Sequence, residues 1–97
     1  MKYLKPIHPG EVLREEFLGP FSISVEGLAA KTYIDVERIK RITSGSDTLT
    51  ADIALRLARF FGTSAQFWLG LQTDYDLDIE RLRIGTRLEE EIIPLAA

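Results

Sequence analysis

The strongest constraint on what this chain can become is its punctuation. Residues that start helices alternate with residues that stop them, and the apolar side chains between them recur at helical spacing. His8-Pro9 opens the first segment, with Pro9 in the first turn, where a missing N–H costs nothing. Val12, Leu13 and Phe17 share a face, and Gly19-Pro20 stops the helix. Ser24 caps a second helix that runs to about Lys31, with Leu28 and Ala29 inward. After the tight connection Thr32-Tyr33-Ile34, Asp35 caps a third helix. Its carboxylate can accept backbone N–H groups that have no partner inside the helix. This helix runs to about Thr43, anchored by Ile39 and Ile42, with Gly45 just past its end. Thr50 caps a fourth, along which Ile53, Ala54, Leu57, Ala58 and Phe61 keep the helical period until Gly62 closes it. Thr63 or Ser64 starts a fifth with Phe67, Trp68 and Leu71, and Tyr75, Ile79 and Leu82 continue the pattern. Gly85 weakens that pattern, and Pro94 keeps the apolar tail Ile92-Ile93-Pro94-Leu95 from being helix. Strand signals are poor, with no Asn-Gly or Asp-Gly turn. The fold expected is all-α: a compact cluster of four to five helices over 1–73, with a helical extension over 74–97.

Composition removes whole classes of function. The chain has 97 residues, one domain's worth, and no cysteine, so disulfides, thiol nucleophiles and thiolate metal sites are excluded. Its one histidine, His8, excludes a multi-histidine metal site and reads as a cap before Pro9. No nucleophile and orienting acid stand beside it, and Glu15 and Glu16 are helix neighbours that do not face each other. Asp74, Asp76, Asp78 and Glu80 alternate as in a calcium loop, but Ile79 stands where that loop needs glycine and Gly85 where it needs a glutamate. No enzyme activity, metal or cofactor is expected. No apolar run approaches the ~20 residues that span a bilayer, and no secretory segment opens the chain, so a cytoplasmic protein without membrane contact is expected.

A net charge of −3 argues at first against a nucleic-acid partner. Its distribution changes the reading. Residues 1–62 hold nine basic and eight acidic groups, and residues 63–97 hold three basic and seven acidic groups. The excess acid lies in the last third.

Two short helices joined by about three residues inside a helical cluster suggest a helix-turn-helix, with residues 35–43 as its second helix. With Ile39 and Ile42 inward, Glu37, Lys40, Arg41 and Ser44 point outward, flanked by Val36 and Arg38. In such motifs the start of the second helix enters the major groove. Arg41 can bond a guanine through two donors, Arg38 or Lys40 a guanine or phosphate, Glu37 a cytosine amino group, and Val36 a thymine methyl. The chain has no asparagine and its glutamines lie elsewhere, so recognition weighted toward G·C pairs is expected. The helix starts at Ser24 and Thr50 and the loop hydroxyls of Ser44, Ser46 and Thr48 suit backbone phosphates. The competing reading is a solvated helix face, because residues 22–45 carry only four basic against three acidic groups.

Phe67, Trp68, Leu71, Tyr75 and Ile79 fit either the core or a homodimer interface. A dimer needs two recognition helices about 34 Å apart on one face of double-stranded operator DNA, which favours contact through residues 65–95. The acidic run of 74–80 is a solvated face or a surface for a basic partner.

Three segments carry a resemblance. His8-Pro9-Gly10-Glu11-Val12-Leu13-Arg14-Glu15-Glu16-Phe17-Leu18 is the first. The stretch from Thr50-Ala51-Asp52-Ile53-Ala54-Leu55-Arg56-Leu57 through Phe61-Gly62-Thr63-Ser64 is the second. Phe67-Trp68-Leu69-Gly70-Leu71-Gln72-Thr73-Asp74-Tyr75-Asp76-Leu77 is the third. In order and spacing, over roughly residues 6–78, they resemble the HigA-type (VapI-like) antitoxins of the Xre/Cro-like helix-turn-helix group. The resemblance implies a lambda-repressor-like, all-α repressor. Such a protein acts as a homodimer, binds the operator of its own operon and neutralises a HigB-like toxin that cleaves mRNA. A stand-alone Xre-type regulator and an interaction module without DNA binding are the alternatives. One departure favours the last: Tyr33 stands in the turn where the family usually has glycine or another small residue, and at positive φ a tyrosine is strained.

Overall fold

The computed structural model describes residues 5–96, and every element among them is helical. The order is α1 (Pro9–Val12), a π-helical stretch (Leu13–Leu18), α2 (Val25–Thr32), α3 (Val36–Thr43), α4 (Ala51–Phe61), α5 (Ala65–Ile84) and α6 (Arg87–Glu91).

The caps read from the sequence are the caps that form. His8 accepts the Gly10 N–H, Ser24 that of Gly27, Asp35 that of Arg38, Thr50 that of Ile53, and Ser64 that of Phe67. Each satisfies a backbone donor that its helix cannot, an effect typically near 1 kcal/mol per cap.

The first helix departs from expectation in its second half, which widens into π geometry. Pro20 cannot donate to Glu16, and its ring crowds that carbonyl. The chain opens by one residue per turn instead, so that Gly19 donates to Arg14 O at 3.0 Å and Ile23 to Leu18 O at 2.9 Å.

Leu13, Leu18, Leu28, Ile34, Ile39, Ile42, Leu49, Ile53, Ala54, Leu57 and Trp68 form one buried cluster. At its centre Trp68 is fully buried, its Nε1–H donating to Thr63 Oγ1 at 2.7 Å and its ring 4.9 Å from that of Phe17. The sequence allowed Trp68 in a dimer interface. The structure corrects this, because a side chain with no exposed surface cannot meet a partner. Gly10 lets α1 lie directly on the end of α3: a Cβ there would stand 1.7 Å from the Ile42 carbonyl oxygen.

α5 is one helix across residue 73, where the sequence suggested a division between body and extension. At ~1.5 Å per residue it is about 30 Å long. Its first half carries Trp68 and Gln72 into the body, while Leu77, Ile79 and Leu82 are exposed. The molecule accordingly measures 52 × 23 × 23 Å. Its radius of gyration is 16.3 Å, against about 12.5 Å for a compact chain of this length. Gly85, at φ +60°, ends α5 before the short α6.

Candidate nucleic-acid interface

The turn between α2 and α3 keeps a regular form despite its tyrosine. Tyr33 ends α2 at φ +60°, ψ 29°, the left-handed conformation a glycine would supply, and its N–H closes on Ala29 O at 2.9 Å. Arg56 Nη1 reaches from α4 to the Thr32 carbonyl at 3.0 Å and braces the same turn. The strain, about 1–2 kcal/mol for a residue with a Cβ, is therefore held in place by its neighbours without reshaping the motif.

Asp35 then starts α3. Ile39 and Ile42 are buried, and Glu37, Lys40, Arg41 and Ser44 face solvent. Val36 and Arg38 are half-buried on the flanks. The outward charges are not idle. Lys40 Nζ lies 3.5 Å from Glu37 Oε2, an exposed pair of small energy. Arg41 Nε donates to Asp47 Oδ2 at 3.2 Å. Arg38 Nε is 2.8 Å from the same oxygen but off the line of its N–H, a charge contact and not a hydrogen bond. Arg38 Nη2 also donates to Thr48 O at 3.3 Å, so this arginine leans on the body more than it projects.

The loop from Ser44 to Thr50 is tied down from several directions. Ser44 Oγ and Ser46 Oγ both donate to the Arg41 carbonyl. His8 Nε2 donates to Asp47 O at 3.0 Å while its Nδ1 accepts from Gly10, which fixes the neutral Nε2–H tautomer. The buried Gln72 accepts the Leu49 N–H at 2.8 Å and donates to Asp76. Asp47 Oδ1 accepts the Thr48 N–H at 2.7 Å. Chiefly through that bond, and against partial desolvation, with Arg41 and Arg38 adding their charge, Asp47 is held below the usual carboxylate range.

Of the residues expected at DNA, Arg38, Arg41 and Thr48 meet at Asp47, while Ser44 and Ser46 bond the Arg41 carbonyl. Glu37 and Lys40 lie beside them on the open face of α3. Ser24 and Thr50 cap their helices, with Thr50 accepting from Ile53 at 3.4 Å. Next to Arg38 and Arg41 a cleft of about 230 Å³ is also lined by Tyr33, Asp35, Asp52 and Arg56. The sequence reading missed Asp47, Arg56 and the double role of His8. Asp47 alone left a trace, an acid in the loop directly after a cationic helix.

Of the dimer candidates, Phe67 and Ile79 are exposed, while Leu71 and Tyr75 are half-buried. Tyr75 packs edge-on to His8, with ring centroids 4.9 Å apart. The acidic run pairs largely with its own helix: Asp76 with Gln72, Asp78 with Arg81, and Glu80 with Arg83. Among the described residues no three His, Asp or Glu side chains stand together as metal ligands, and no helix is long and apolar enough to cross a membrane.

A helix-turn-helix family model matches residues 13–68, from the π-helical stretch to Trp68. Virulence-associated protein I of Dichelobacter nodosus is 51% identical over 71 residues, 73% of this chain and 66% of that protein. Antitoxin HigA-1 of Vibrio cholerae is 34% identical over 73 residues, 75% of this chain and 69% of that one. Among solved structures, the Pseudomonas aeruginosa antitoxin HigA, determined with the higBA promoter, is similar at a TM-score of 0.89 and 44% identity, over 94% of this chain and 99% of that one.

Proposed function

Since the chain belongs to the helix-turn-helix family and, within it, to the HigA-type antitoxins, we propose that it binds the operator of its own operon as a homodimer, represses it, and neutralises a HigB-like mRNA endonuclease. Membership in this family makes it a DNA-binding regulator and not an enzyme. The observation that carries the operator reading is the outer face of α3. Glu37, Lys40, Arg41 and Ser44 are exposed together, on a helix whose other face is locked into the core by Ile39 and Ile42. The relative determined with a promoter supports the same reading.

In this reading Arg41 reads a base edge, Glu37 and Val36 add selectivity, and Lys40 meets phosphate or guanine. Ser44, Ser46, Thr48 and the helix starts at Ser24 and Thr50 approach the backbone. Dimer contact falls to the exposed apolar residues of the C-terminal arm, with Ile79 and Leu82 central and Phe67 at the margin. A toxin that binds RNA is expected to be basic, and the carboxylates of 74–80 offer it a complementary face. The cytoplasm is the compartment in which all these partners meet.

A gel-shift series with the protein's own promoter tests the DNA arm. Binding should weaken steeply as salt rises, because phosphate contacts release counterions. Replacing Lys40 and Arg41 together with alanine should lower affinity by about 30-fold or more while leaving the helical content intact, because a bidentate base contact is worth about 1–3 kcal/mol and a dimer makes it twice. Unchanged affinity would sink the placement of α3 in the groove. Co-purification with the product of the adjacent gene tests the toxin arm. If no neighbouring product binds, the stand-alone regulator is the correct reading.

A further inference from the structure

An arginine carries five N–H donors in one plane, and which of them stay free decides what it can bind. Arg41 gives its Nε–H to Asp47 Oδ2. Among the described residues its Nη1 and Nη2 make no hydrogen bond, although the side chain is half exposed. Asp47 is itself fixed. Its Oδ1 holds the Thr48 N–H, and its carbonyl oxygen takes the His8 Nε2–H, so that α1 and, through Tyr75 packed on His8, α5 both bear on its position. The same Oδ2 attracts Arg38 Nε, whose Nη2 is engaged with Thr48 O.

Resting on the operator reading above, we propose that Asp47 is the positioning residue for base recognition. It holds Arg41 by Nε so that the Nη1/Nη2 end meets the O6 and N7 of a guanine, and it keeps Arg38 out of the groove as a strut. Two consequences give this physical content. A long side chain restrained before binding loses less freedom on binding, so the buttress strengthens the base contact. A carboxylate on the DNA-facing surface repels phosphate, so it weakens contact with any sequence equally. Asp47 thus trades general affinity for discrimination, and its removal moves the two in opposite directions. A residue that merely stabilised the loop would move both downward.

The test uses the full-length protein and its own promoter. Anisotropy titrations compare the operator with versions in which each G·C pair is changed to A·T. The unchanged protein should discriminate about tenfold or more at the pair that Arg41 contacts. Asp47→Ala should cut that preference to about threefold or less. It should also raise affinity for unrelated DNA severalfold and steepen the salt dependence by about two units, one for each subunit's Arg38 that finds a phosphate. Arg41→Ala should lose discrimination at the same pair, and adding Asp47→Ala to it should change that preference no further. Asp47→Asn guards against a loosened loop. It keeps the size and an acceptor for Thr48 N–H, and presents a donor where the arginines need an acceptor, so it should behave as the alanine variant does. Wild-type preference in a folded Asp47→Asn protein overturns the inference, as does loss at a pair unrelated to Arg41. No sequence preference in the unchanged protein overturns the operator reading itself, and this inference with it.

Discussion

The helical body and the C-terminal arm are held by different physics. In the body, order comes from burial: Trp68 and ten other apolar side chains pack in one cluster, and the loop after α3 is pinned by His8, Gln72 and Arg38. Beyond Asp76 the order is local. Arg81 pairs with Asp78, Arg83 with Glu80, Arg87 with Glu91, and Thr86 with Glu90, all on exposed surface and within one helical turn. Such exposed pairs, screened by solvent, contribute little. Meanwhile Leu77, Ile79, Leu82, Leu88, Ile92, Ile93 and Leu95 face solvent. The body closes a core of its own within one chain, although Phe21 and Leu55 stay exposed on it, whereas the arm leaves most of its apolar side chains in solvent, the face assigned to the dimer in the proposal above.

Within the body itself, two helical glycines separate a packed position from an open one. Gly10→Ala places a Cβ against the backbone of Ile42 and Thr43, which no rotamer change can relieve. α1 must lift from α3, a loss of about 3 kcal/mol or more from a total of roughly 5–15. Gly70→Ala, in α5 with nothing within 4 Å of the new Cβ, should instead gain up to about 1 kcal/mol from helix propensity. Urea denaturation of both variants measures the contrast. Equal changes would mean that α1 does not bear on α3 as the structure has it.

The same contrast explains what could be read from the sequence. The helices of the body were legible because capping residues and the 3.6-residue period act locally, and Ser24, Asp35, Thr50 and Ser64 all cap the helices they announce. The outward set on α3 followed from geometry once Ile39 and Ile42 were placed inward. Contacts between elements were not legible. Trp68 has the same spacing whether it faces a core or a partner. Nothing in the string places Asp47 against two arginines on the preceding helix, or aims Gln72 at Leu49 across 23 residues. The π turn follows from Pro20, but only once the preceding helix is known to continue to Leu18.

Tyr33 is a smaller lever, and it bears on whether the strained turn belongs to the rigid body. Its left-handed backbone costs about 1–2 kcal/mol with a Cβ present. The residue is 86% exposed, so little packing is lost on removal of its ring. Tyr33→Gly relieves the strain but frees the unfolded chain, which takes back about 0.5–1 kcal/mol. A net stabilisation of about 0.5–1 kcal/mol is expected in urea melts, with helical content unchanged. Destabilisation would mean that the tyrosine ring makes a contact the turn depends on.

The arm is where the smallest effect on the single chain is expected. Replacing Ile79 and Leu82 with serine removes exposed apolar surface and leaves the core untouched, so at high dilution the body should unfold within about 0.5 kcal/mol of wild type. Concentration is what tells the two proteins apart. If two copies cover this face, mass action raises the wild-type melting temperature as protein is added, and the serine variant should show no such rise. Size-exclusion and sedimentation measurements should give a monomer for the variant across that range. A variant that melts lower at every concentration would put Ile79 and Leu82 inside the body's own cooperative unit, and the division between body and arm would have to be redrawn toward Gly85.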